Sequence, residues 1–521
     1  MTTFESRDIP SRAEHVVDTG LQEETPIPSD ALEPRMIPSQ AECLVAAGLQ
    51  DKILIPSDAE YTLRLDSYWS KSARIRPAAI VCPRTAEDVA VALKALVAAK
   101  QPFAVRSGGH TNWAGSNNIE DGVTIDLGEL NSVVYDATTE TASIGPGCLW
   151  KDVYAELEKY GRSVAGGRAG SVGVAGLVLG GGLTFFTARR GFACDNVVAY
   201  EVVLADGSIV HVDKESHPEL FRALKGGSNN FGIVTKFIMT AIPCEKVWGG
   251  LAVLPKQVTP SAIEAFAAFT DNVANDQDSN LIVLLTHLPE FKDIVVSPMY
   301  LNIAGVEKPP AYEKWLALHD EIPDTVKMMT LSEMVTSFSV PENKHGVWFT
   351  LTFKNDVRIL AHTAALHDQL VADLISFIPE QDFVTQCVFQ PLPLLFGRRS
   401  LEAGGNVLGL EAQQHDGVLF LAAVMVRTPE QEEFAYPKTK AWVEGVQEFA
   451  RSIDGGLIEW RYLNYADKSQ DPIASYGEAN VELLRKVAAR YDPGQVFQKL
   501  CPGGFKISEV GTSGSLASEA M

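Results

Sequence analysis

The segment VRSGGHTNWAG, residues 105–115, sets His110 directly behind two glycines. Glycine lets a backbone approach another group closely. Histidine is the side chain suited to acid–base chemistry, metal binding or a covalent link near neutral pH; a hydrogen-bonded core histidine is the other reading. Two further glycine-rich stretches follow, GGRAGSVGVAGLVLGGG (166–182) and LKGGSNNFGIVT (224–235). Convergent backbone N–H groups in such loops suit phosphate and carbonyl oxygens. Several together suit a diphosphate between a ring system and a nucleoside, which points to a dinucleotide.

A second group with chemical potential is WRYLNYAD, residues 460–467. As a strand it puts Tyr462 and Asn464 on one face, and Leu463 and Tyr465 on the other. A tyrosine base needs its pKa of ~10 lowered by nearby positive charge or donors. Arg461 points away from Tyr462 in that reading. Aromatic core packing is the alternative use of the segment. Elsewhere the candidates thin out. His211 and His217 flank an acidic hairpin and read as solvated. His362 and His367, five apart on a helix, do not share a metal-binding face. No Ser/His/Asp arrangement can be assembled.

The elements that must position these groups alternate from about residue 78. AAIVCP and PFAVRSGG read as strands, the latter running into the glycines before His110, and TAEDVAVALKALVAAK as a helix capped by Thr85. GVTIDLG and TASIGPG read as short strands, and LWKDVYAELEKYG as a helix closed by Gly161. VVAYEVVLADGSIVHVD reads as a hairpin, and FGIVTKFIMTAI as a strand. Residues 244–459 differ in texture, with longer helices between strands such as SNLIVLLTHL and GVLFLAAVMV. The fold class is therefore α+β with two domains.

The chain has 521 residues, which favours more than one core. Residues 9–31 are repeated at 37–59, and only the more apolar second copy is expected to dock. The net charge of −22 argues against nucleic acid and anionic membrane as partners. Seven scattered cysteines without CxxC spacing read as reduced thiols. The apolar run 171–186 is shorter than the roughly 20 residues of a membrane span. The first residues lack the apolar core of a secretion signal, so a cytoplasmic location is expected. The G-x-G-x-x-G dinucleotide fingerprint and the P-loop are both missing.

RSGGH, TIDLGELNSV, IGPGCLW, GGRAGSVGVAGLVLGGG, LFRALKGGSNNFGIVT and YLNYAD, in this order, resemble the FAD-linked oxidases of the berberine-bridge-enzyme type, in the fungal branch with 6-hydroxynicotine-oxidase-like and solanapyrone-synthase-like proteins. The resemblance covers roughly residues 37–507. It implies a PCMH-type FAD-binding domain from 37–243 and 460–507 and a substrate cap from 244–459. Residues 1–36 are left as a loosely ordered extension and 508–521 as a flexible tail. It implies FAD attached once, through His110. Arg106, Ser107, Gly108, Gly109, Gly170, Ser171, Val172, Gly173, Gly176, Gly180, Gly181, Gly232, Ile233, Val234 and Asn464 are the implied cofactor contacts. Ala169 stands where relatives carry a second, cysteine link. Val172 stands where relatives control oxygen access, though it also reads as a packing valine.

Tyr462, Tyr465 and Gln390 are the implied catalytic side chains, with Gln386 as the fallback for Gln390 and Asn406 nearby. Glutamine is no base and would orient substrate by hydrogen bonding. The implied reaction is hydride transfer from an alcohol or amine carbon of a small secondary metabolite to the flavin, with Tyr462 or a group it orients receiving a proton and O2 as acceptor. An oxidative cyclase and a non-catalytic flavin-binding protein are the alternatives.

Overall fold

Short strands build the part of the chain that carries the glycine loops. In the computed structural model, which describes residues 36–337 and 341–511, Ala79–Val81, Val123–Asp126 and Phe103–Arg106 run parallel, with Ile53–Leu54 antiparallel at the edge. Helix Ala86–Ala98 covers this sheet; Thr85 Oγ1 accepts from Asp88 N–H at its start, as its sequence predicts. Ala41, Leu44, Leu49, Ile53 and Ile55 are buried against the same cluster, so the second copy of the repeat docks. The first copy lies outside the described residues, and the tail is described only to Gly511.

A second sheet is antiparallel, in the order Val133–Asp136, Thr141–Ile144, Ile233–Thr240, Val197–Val203, Ile209–Asp213. The hairpin closes through Gly207 at φ +76°, a conformation that favours glycine. The helix Trp150–Glu158 ends near Gly161, also at positive φ. Both follow the sequence pattern.

Residues 246–458 build one nine-stranded antiparallel sheet. Its middle is Ser279–Leu288, Val384–Leu392, Gly417–Val426 and His345–Lys354. Strand periodicity decides what each face does. Cys387 and Phe389 turn away from the site, and Phe389 packs on Phe266 of helix Thr259–Asn272. Gln386, Val388 and Gln390 turn to the other face, where a cavity lies. Phe497 of the returning C-terminal segment packs edge-on against Phe103. The five-stranded antiparallel sheet and the nine-stranded sheet share a hydrophobic cluster, and from Ile37 the chain forms one compact unit.

The segment expected as a strand at WRYLNYAD is not one. Only Leu457–Ile458 pairs in the sheet, and Leu463–Tyr465 is a 3-10 turn. All seven cysteines are free. No helix among the described residues is long and apolar enough to cross a membrane.

Candidate active site

The three glycine stretches meet at a cavity of about 320 Å³, closed on the far side by the nine-stranded sheet and by the Tyr462–Ala466 turn. Gly108 and Gly173 explain how two of the loops come together. A Cβ on Gly108 would stand 2.6 Å from the Gly173 backbone, and one on Gly173 would stand 2.5 Å from Gly108 N. Backbone touches backbone there, so any side chain forces the loops apart.

His110 lies at the end of the first loop, on the cavity wall. Its ring stacks on Trp69 at 4.9 Å and 14°, and Trp69 N–H donates to Gly109 C=O at 3.1 Å. Its Nε2 is buried and has no protein partner. Burial pushes the imidazole pKa down to about 4, so the ring is neutral at physiological pH. A buried nitrogen without a partner is costly unless something else meets it. Together with the side-chain-free cradle, this neutral ring fits a cofactor bound against the loop.

Ser107, Gly108, Gly109, Val172, Gly173, Gly176, Gly232, Ile233, Val234 and Asn464 also line the cavity. Five expected contacts do not. Arg106 turns behind the loop: it donates to Arg64 C=O (2.6 Å) and Ser67 Oγ (2.7 Å), pairs with Asp126 at 3.3 Å and lies over the Tyr68 ring. It braces the loop instead of lining the site. Gly170 N–H donates to Val335 C=O and packs away from the cavity, and Ser171 beside it is likewise off the wall. Gly180 leaves room for the Asn464 side chain, since a Cβ would meet its Oδ1 at 2.0 Å, and Gly181 abuts Leu408. Asn406 is also elsewhere, donating to buried Asp195. Ala169 is on the wall.

Tyr462, Tyr465 and Gln390 do come together, but not as a strand would arrange them. The 3-10 turn stacks residues three apart, so the two tyrosine rings meet edge to face at 4.9 Å. Leu183 N–H (2.7 Å) and Asn464 Nδ2 (3.1 Å) donate to Tyr462 Oη. Burial nonetheless pushes the Tyr462 phenol well above its ordinary value, and the neighbouring Tyr465 adds to the shift. Tyr465 Oη accepts from Arg168 Nη2 (3.1 Å) and from Gln390 Nε2 (3.3 Å). Arg168 Nη2 also donates to Gln390 Oε1, closing a triangle. Gln386 shares the cavity face with Gln390 but has no part in it.

Arg168, Trp69 and Trp348 are missing from the sequence expectations. Arg168 had a visible signal, an arginine inside a glycine loop. Trp69 and Trp348, which pack on each other at 5.0 Å beneath His110, had none. Among the described residues no cluster of His, Cys, Asp or Glu could hold a metal ion.

The sequence profile of an FAD binding domain matches residues 77–213, and that described as berberine and berberine like matches 461–499. An FAD-dependent monooxygenase of Aspergillus calidoustus is 40% identical over 458 residues, 87% of each chain. A bifunctional solanapyrone synthase of Alternaria solani is 31% identical over 452 residues, 86% of this chain and 85% of its own. The crystal structure of 6-hydroxy-D-nicotine oxidase from Arthrobacter nicotinovorans matches the fold with a TM-score of 0.71 at 21% identity, covering 87% of this chain and 97% of that one.

Proposed function

Because this chain belongs to the FAD-linked oxidoreductases of the berberine-bridge type, we propose that it oxidises an alcohol or amine carbon of a small secondary metabolite, with O2 as electron acceptor and hydrogen peroxide as second product. The observation that carries the reading is His110, a neutral imidazole whose buried Nε2 has no protein partner and ends a loop of backbone donors. We infer a single covalent flavin link at this ring, since the position of a second link holds Ala169. Bound FAD supplies a two-electron hydride acceptor.

The protein's own groups have distinct tasks in this scheme. Ser107, Gly108 and Gly109 offer backbone N–H groups to the diphosphate, and Trp69 fixes the plane of the His110 ring. Loss of hydride from a carbinol or amine carbon also releases an O–H or N–H proton. Tyr465 Oη is the atom best equipped to take it, because a guanidinium and an amide N–H both donate there. Tyr462, whose phenol burial pushes up, serves instead to hold Leu183 and Asn464. Gln390 orients Tyr465 and the substrate. Val172, on the cavity wall, supports O2 as the acceptor.

The name of the Aspergillus relative favours a second reading, insertion of an oxygen atom. Acid precipitation tests the cofactor assignment: yellow colour is expected in the wild-type pellet and none in that of His110→Ala. A colourless wild-type pellet from yellow protein means a noncovalent flavin. Turnover under ¹⁸O2 separates the two reactions, since oxidation leaves the label in peroxide and monooxygenation puts it in the product.

A further inference from the structure

Resting on that reading of the cavity, we propose that Arg168 recognises an acidic oxygen on the substrate, a carboxylate or an ionised phenol or enol, so that the substrate binds as an anion. The chain carries 66 Asp and Glu and a net charge of −22. Among the described residues, however, the cavity wall holds no carboxylate, and Arg168 is its one formally charged side chain. Among the described residues Arg168 forms no ion pair. Its two protein acceptors, Gln390 Oε1 and Tyr465 Oη, are an amide and a phenol rather than carboxylates, and both sit on Nη2. Nη1 and Nε have no acceptor among the described residues.

A guanidinium presents its donors as a planar fork matched to a carboxylate. Here the Nη2 corner is pinned by the triangle, which fixes the plane of the group and leaves the other donors in place for a ligand. Ile282, Leu284, Val388 and Leu421 make the facing wall apolar, and low polarity strengthens a charge–charge contact. A half-buried cation without a counter-ion loses hydration that an anionic ligand restores. The site also lies beside Tyr465, so an anion held on Arg168 brings the rest of the substrate to the proposed proton acceptor.

The test titrates the oxidised holoenzyme with paired probes and reads the flavin absorption band. The pairs are benzoate against benzamide, and 4-cyanophenolate against 4-cyanoanisole. The anion of at least one pair should bind about 10- to 100-fold more tightly than its neutral partner, the range of a charge-assisted hydrogen-bonded contact. The pair that shows the gap identifies the source, carboxylate or ionised phenol. The gap should vanish in Arg168→Met and survive in part in Arg168→Lys, both checked for flavin content and thermal midpoint. No gap in the wild type, or an equal gap in Arg168→Met, overturns the proposal. So does a gap left intact in Arg168→Met while sulfite no longer adds to the flavin, because Arg168 then serves the cofactor. A wild-type protein that purifies without flavin defeats the underlying oxidase reading instead. The same titrations read by tryptophan fluorescence, with Trp348 on the wall, then still decide the role of Arg168.

Discussion

At the residue scale His110 and Tyr465 carry the proposed chemistry, and both owe their properties to what surrounds them. His110 is neutral because burial disfavours its charged form, and Trp69 beneath it holds the ring. Replacing it by alanine should leave the fold intact, release the flavin on acid precipitation and lower the flavin midpoint potential, which dye-linked reduction measures. An unchanged potential and a yellow pellet would remove His110 from the attachment. The tyrosines should separate by their partners. Tyr465→Phe should lower kcat by about 10²-fold or more with the fold kept, as loss of a proton acceptor does. Tyr462→Phe leaves a buried Leu183 N–H without its acceptor and should cost about 1–3 kcal/mol of stability, read as a lower urea midpoint. The reverse pattern would return the proton to Tyr462.

Elements matter here through what they leave out. Gly108 and Gly173 belong to loops from different parts of the chain, and their backbones touch. Gly173→Ala should push these loops apart, lower the thermal midpoint and leave the protein poor in flavin, seen as a reduced absorbance ratio at 450 and 280 nm. Gly176→Ala is the control for the thermal midpoint alone, because Gly176 lines the cavity but a Cβ there meets no protein atom within 4 Å and the fold should be indifferent. Equal effects at both positions would mean that close loop contact is not the cause. The sheet works by simple alternation: residues 386, 388 and 390 line the cavity while 387 and 389 pack under helices. The turn at 463–465 departs from that rule, and its departure brings Tyr462 and Tyr465 into contact.

The whole molecule adds a pH dependence that lies away from the cavity. His367 stacks on Trp442 and shares a 2.7 Å hydrogen bond with Thr385 Oγ1; burial pushes its pKa down to about 3. His287, stacked on Phe383, is shifted the same way by burial. Folded His367 stays neutral down to about pH 3, and His287 takes up its proton below the ordinary histidine range, whereas the unfolded chain takes up these protons below about pH 6.5. The unfolded state therefore binds more protons, and stability falls as pH drops from about 6.5 toward 3, by up to about 1.4 kcal/mol per pH unit for His367, with His287 acting in the same direction. His367→Gln should flatten the acid limb of a plot of urea midpoint against pH. A slope identical to wild type would place the acid sensitivity elsewhere.

Sequence alone determined the parts that depend on local pattern. Strand and helix periods, the Thr85 cap, the Gly207 hairpin and the three glycine loops follow from near-neighbour chemistry; the flavoprotein family and the flavin role of His110 are what the resemblance of six ordered motifs implied. Only the tertiary structure decided which atoms face the cavity. Arg106 and Gly170 sit in the right motifs but turn away, because a loop's side chains are aimed by what packs behind it. Arg168, Gln390 and Tyr465 meet from three distant segments, and no spacing in a single chain encodes that distance. The turn at Leu463–Tyr465 looked like a strand because short apolar and aromatic runs suit either conformation. The bonds from Leu183 N–H to Tyr462 Oη and from Asn464 Nδ2 to Leu177 C=O hold the turn, and those partners come from a distant segment that local sequence does not contain.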